Sequence, residues 1–157
     1  MGGRRGQPRL LPDAIIEADG TQVPTSGEKK QGIGINYQGQ WGYHPLVVTL
    51  ANTREPLFIA NRSGNRPSHE QGDGYLDKAA ALCRRAGFRK ITFRGDTDFT
   101  QTRHLDRWDR DGIRLIFGIA AMANLKGLAE RLPDLHYSEL ERPPRYTIET
   151  VPRRAPE

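Results

Sequence analysis

The chain has 157 residues, enough for one domain of ordinary size. Its 24 Lys and Arg against 19 Asp and Glu give a net charge of +5, and 36% of its residues are apolar, sufficient for a modest core. A single cysteine, Cys83, excludes an internal disulfide framework and a cysteine-rich zinc site, and no apolar run approaches the roughly 18 residues of a membrane span.

The excess charge sits at the ends. Residues 1–12 carry Arg4, Arg5 and Arg9 without an acid, and residues 142–157 carry four arginines against Glu149 and Glu157. The body between them is neutral overall, so the basic balance alone does not define a nucleic-acid binder. Gly, Pro and Arg make residues 1–12 a loose basic tail, and Pro143, Pro144, Pro152 and Pro156 make 142–157 a second one. No secretory leader is readable, because Pro12 and Asp13 interrupt the only apolar start. With one thiol and no leader, a cytoplasmic location is expected.

Strands dominate the first half. Ala14–Ala18 reads as a strand ending at Asp19-Gly20, and Ile33, Ile35 and Tyr37 alternate as a second one. Leu46–Ala51 is the strongest strand, and Leu57–Ala60 returns from a hairpin loop over residues 52–56. The second half alternates. Leu76, Ala79, Ala80, Cys83 and Ala86 have helical spacing, with Gly87 as the stop. Ile91–Phe93 is a strand, and Thr100 is placed to cap a helix that carries Leu105 and Trp108 inward and ends at Gly112. Ile113–Ile119 is a further strand; Met122, Leu125, Leu128, Ala129 and Leu132 predict a third helix stopped by Pro133, and Tyr146–Val151 a last strand. A meander followed by β-α-β units predicts an α/β domain over residues 13–141 with a mixed sheet.

Two aspartates stand at strand ends, where α/β sheets place their functional crevices: Asp19 after the first strand and Asp96 after Lys90–Arg94. If those strands are neighbours, two carboxylates converge on a hard-cation site suited to Mg²⁺ or Mn²⁺. Asp-Gly is equally a turn dipeptide, and Asp96 or Asp98 equally a helix cap. Cys83 lies on the apolar face of its helix, as a buried structural thiol does. Trp108 belongs with Leu105 in a core, whereas Trp41 is either core or a surface on which bases stack. The four histidines are too scattered for a metal spacing, and His104 reads as exposed.

Four segments in order add a different kind of information: Glu17-Ala18-Asp19-Gly20-Thr21, the stretch Tyr37–Leu46, the stretch Asn61–His69, and Arg94-Gly95-Asp96-Thr97-Asp98-Phe99. Together they resemble the catalytic domain of bacterial insertion-sequence transposases of the DDE class, from about Ile15 to about Tyr146. The resemblance implies a ribonuclease-H-like fold, here incomplete, with Asp19 and Asp96 as its first two metal-binding carboxylates and Mg²⁺ or Mn²⁺ as cofactor. It implies a third acid, a glutamate on a later helix; none of Glu130, Glu139, Glu141 or Glu149 sits in a matching motif. Arg62, Asn65 and Arg66 lie in a polar loop suited to phosphate contacts or to an ordinary surface turn, and Arg94 adjoins Asp96.

The expected function is therefore that of a transposase fragment, cleaving and joining DNA at element ends and impaired by the missing third carboxylate. Its expected partners are the terminal repeats and itself or a full-length transposase. The alternative is a non-catalytic fragment that binds DNA or associates with transposase.

Overall fold

A computed structural model describes residues 13–27 and 29–139. The chain divides into two compact units, residues 1–120 and 121–157. The basic tails and the expected strand Tyr146–Val151 lie outside the described residues.

In the first unit, β1 (Asp13–Gly20), β5 (Leu46–Leu50), β6 (Glu55–Ala60), β7 (Lys90–Gly95) and β8 (Ile113–Phe117) form one sheet in the order β6-β5-β1-β7-β8. Pairs β1/β5 and β5/β6 are antiparallel, while β1/β7 and β7/β8 are parallel. Three short strands, β2 (Val23–Pro24), β3 (Gly34–Ile35) and β4 (Trp41–Tyr43), form a second sheet in the order β2-β4-β3.

Alternation along β1 sorts its side chains. Ala14, Ile16 and Ala18 are buried, whereas Glu17 and Asp19 face the other way. Val48 and Leu50 of β5, Ile91 and Phe93 of β7, and Ile113 of β8 join the buried set. Onto that face pack α1 (Gly72–Arg85) through Leu76, Ala79, Ala80 and Cys83, and α2 (Thr102–Arg110) through Trp108. Helix α1 ends where the sequence places Gly87. That residue has φ 98°, its N–H meets the Arg84 carbonyl, and the Phe88 N–H reaches back to Cys83. This is the Schellman arrangement that a glycine accommodates without Cβ strain, and Phe88 is buried beside it.

Trp108 is the largest fully buried side chain. Its ring meets Phe93 edge-on at 5.1 Å, and its indole N–H donates to Asp77 at 2.8 Å. The same carboxylate accepts two bonds from Arg107, at 3.1 and 2.9 Å, which hold that guanidinium above its ordinary pKa.

Several expected boundaries move, each for a local reason. The strand expected over 33–37 is only Gly34–Ile35, because the Asn36 side chain accepts the Gln38 and Gln40 N–H groups and turns the chain. Thr100 does not cap α2: Gln101 is the capping position, and the Thr100 hydroxyl donates to the Gly118 carbonyl instead. His104 is half-buried rather than exposed, 3.4 Å from Asp73. In the second unit the expected third helix is α3 (Ala123–Ala129), shorter than its apolar pattern. Its apolar residues find no buried surface, and after Leu128 the bonds tighten to i→i+3 at Arg131 and Leu132.

Two outcomes test this packing. Trp108→Ala is expected to lower stability by about 3–5 kcal/mol in a denaturant melt, through the cavity and the stranded Asp77. Burial raises the Cys83 pKa, so less thiolate forms at any pH; alkylation at pH 8 should require unfolding, and prompt labelling of the native chain would contradict that burial.

Candidate active site

The parallel register of β1 and β7 positions the two aspartates. Glu17 pairs with Arg94, so two residues further along each strand Asp19 and Asp96 stand level at the same sheet edge. Asp96 keeps an extended backbone (φ −79°, ψ −167°), which continues the strand alternation. Both aspartates thus fall on the face opposite the helices, on strands spaced by about 4.8 Å. They line one open cavity of about 540 Å³ together with Glu17, Thr21, Val47, Thr49 and Arg94.

Asp96 has a second task. Its Oδ1 accepts the Asp98 N–H at 3.0 Å and caps the 3₁₀ turn Thr97–Phe99. One carboxylate oxygen is thereby fixed and the side chain oriented. Gly95, just before it, is a close approach: a Cβ there would lie 3.0 Å from the Phe99 Cβ and 3.1 Å from the Phe117 ring. Arg94 binds Glu17 through Nε and Nη2, both at 2.5 Å from Oε1.

A loop over residues 61–71 borders this edge, and Arg62 organises it from within. Arg62 is 9% exposed; its Nε donates to the His44 carbonyl, and its Nη1 to the carbonyls of Pro67, Ser68 and Glu70 at 2.7–3.2 Å. Burial pulls its pKa below the ordinary arginine value, opposed by the Glu70 charge. His44 closes the same knot. A carbonyl only accepts, so the 2.8 Å contact from Nδ1 to the Arg66 carbonyl puts a proton on Nδ1 and turns Nε2 toward Gly20. A Cβ on Gly20 would meet that nitrogen at 2.5 Å, which explains the glycine directly after Asp19.

The structure therefore separates the residues singled out for DNA. Arg94 shares the cavity of Asp19 and Asp96. Asn65 and Arg66 line a neighbouring cleft of about 320 Å³ with Tyr37, His44, His69 and Asp98. Arg66 is exposed and pairs with Glu70 at 3.0 Å, whereas Arg62 is committed to backbone carbonyls. Two residues of the site were not singled out by sequence. Glu17 lies two positions before Asp19, so alternation alone puts it on the same face; His44 carried no such signal, because its partners come from a distant loop.

The donor set suits a hard divalent cation that keeps several water or phosphate ligands, as Mg²⁺ does on one or two carboxylates. Among the described residues no group of three or more His, Cys, Asp or Glu is placed to hold one ion. The carboxylates that line this cavity beside Arg94 are those of Glu17, Asp19 and Asp96.

An antiparallel meander running into parallel β-α-β units, with two aspartates at the ends of adjacent strands, defines a ribonuclease-H-like fold. The family model for transposase DDE domain group 1 matches residues 9–146, and the chain belongs to that family. Its members are transposition-related nucleases that act on DNA and generally use a divalent metal. No curated protein matches the chain. No helix among the described residues is long and apolar enough to cross a membrane.

The Arg62 knot has a direct test. Arg62→Ala would remove the side-chain donor of the His44, Ser68 and Glu70 carbonyls and should cost on the order of 3 kcal/mol in a thermal or urea melt. Arg62→Lys should restore little of this, since one ammonium cannot reproduce the planar fork.

Proposed function

We propose that this chain carries the phosphodiester chemistry of an insertion-sequence transposase, cleaving and joining DNA strands at the ends of its element. One observation carries the reading: Asp19 and Asp96, from segments far apart in sequence, stand level at the ends of adjacent parallel strands and open into one cavity. A divalent cation, Mg²⁺ or Mn²⁺, held there supplies the Lewis acidity that activates a water or a DNA 3′-hydroxyl and stabilises the leaving oxygen.

The chain's own residues do the rest. Asp19 and Asp96 bind the cation and fix where the scissile phosphate sits. Arg94 offers the nearest positive charge to that phosphate. Asn65 and Arg66 contact the backbone of the flanking duplex from the neighbouring cleft, and Arg62 acts by holding the loop that presents them. A two-carboxylate site retains metal weakly, so slow cleavage is expected. The terminal repeats of the element are the expected DNA partner, and the cytoplasm the expected location.

Asp19→Asn and Asp96→Asn should each abolish Mn²⁺-dependent nicking of a supercoiled plasmid, with melting temperatures close to the parent. Unchanged nicking in both would reject the assignment. Salt-dependent DNA binding without any nicking by the parent chain would select the alternative, a non-catalytic fragment that occupies DNA ends or associates with transposase.

A further inference from the structure

The cavity holds three carboxylates, of Glu17, Asp19 and Asp96, and one guanidinium, of Arg94, a formal charge of −2. That charge repels a phosphate until a cation is present. Arg94 is the only compensating charge that lines it, and its partner is specific. Across the strands Glu17 is flanked by Thr49 on β5 and Arg94 on β7, while Arg94 is flanked by Glu17 and by Ile116 on β8. Each is the other's only charged cross-strand neighbour. The pair is short, 2.5 Å, yet Glu17 keeps 37% and Arg94 45% of its side-chain exposure, so either can leave at small desolvation cost.

We propose that the Glu17–Arg94 pair is an electrostatic switch for the carboxylate site, with Glu17 as a positioning residue that holds Arg94 off DNA until a divalent cation is bound. This rests on the functional reading above. Without metal, Arg94 stays on Glu17, and the free carboxylates of Asp19 and Asp96 oppose the phosphate. Once a cation offsets those carboxylates, a phosphate becomes the better partner for Arg94. The guanidinium then moves to it, while Glu17 adds its charge to the attraction that retains the cation. The order of loading is metal first, scissile phosphate second.

The switch predicts opposite effects for removing its two halves, read on the full chain without any cleavage assay. A unit charge about 7 Å from a divalent ion in a water-like medium shifts affinity roughly tenfold. Glu17→Gln should therefore weaken Mn²⁺ binding roughly tenfold, measured from the free-ion paramagnetic resonance signal, and Arg94→Gln should tighten it by a similar factor. The double variant should return close to the parent value.

DNA binding in EDTA, followed by the anisotropy of a labelled duplex across a salt series, reads the other half. Glu17→Gln should steepen the logarithmic salt slope by about one, because Arg94 is released to a phosphate. Arg94→Gln should leave the slope unchanged. Mn²⁺ affinities that shift in the same direction, or not at all, overturn the proposal; so does a slope that falls by about one in Arg94→Gln, since Arg94 would then already be on DNA without metal. If a Gln variant fails to melt cooperatively, Glu17→Thr and Arg94→Thr remove the same charges with a strand-favouring side chain, and the same outcomes decide. A parent chain that binds neither Mn²⁺ nor DNA overturns the functional reading together with the switch, whereas binding of both without opposed shifts overturns the switch alone.

Discussion

The parallel pairing of β1 with β7 is the constraint from which the site follows. Side chains alternate strictly along a strand, so a slip of one residue in this pair would bring Asp19 level with a neighbour of Asp96 on the opposite face. The register is held by the apolar residues, not by the aspartates. Ala14, Ile16, Ala18, Ile91 and Phe93 must all meet the helices, and Phe93 must meet the edge of the Trp108 ring. Core packing on one face thereby aligns carboxylates on the other.

A second constraint is the satisfaction of backbone groups at the edge of the sheet. The loop over 61–71 returns several carbonyls toward the interior, where each needs a donor. One guanidinium reaches three of them, those of Pro67, Ser68 and Glu70, together with the His44 carbonyl outside the loop, and the His44 ring serves a fourth, that of Arg66. Gly64 lets the small sheet approach: a Cβ there would sit 2.5 Å from the Gly34 carbonyl oxygen and 2.7 Å from that of Gly42. The loop is thus built around a buried cation rather than an apolar core. Its outer residues, Asn65 and Arg66, line a cleft, with Arg66 paired to Glu70.

Charge in the described body is arranged in pairs with distinct tasks. Asp77 gathers Arg107 and Trp108 where α1 meets α2, and so serves stability. Glu17 and Arg94 meet on the open face beside two carboxylates that make no ion pair among the described residues. A neutral body with a strongly acidic pocket is an arrangement that net charge conceals, since pI averages over the surface and a reaction samples only a few ångströms of it.

Much of this was legible in the chain itself. Period-two alternation marked β1 and β5, helical spacing marked α1 and Trp108, and Gly87 and Gly112 marked helix ends that do adopt positive φ, 98° and 71°. These are local properties, carried by neighbouring residues. The four ordered segments identified the family, and with it the two aspartates. Of the small sheet, sequence signalled only the strand around Ile35; the partners β2 and β4 are too short for any pattern, and the close approach that Gly42 and Gly64 permit is not written in neighbouring residues. It did not reveal that Arg62 faces inward, since an arginine in a polar Gly/Pro loop looks like a surface residue until the carbonyls of His44, Pro67, Ser68 and Glu70 are gathered around it. Nor did it pair Glu17 with Arg94, 77 positions apart. Residue type and spacing determined which groups could do chemistry; strand register and backbone hydrogen bonding, which depend on segments distant in the chain, decided which of them meet.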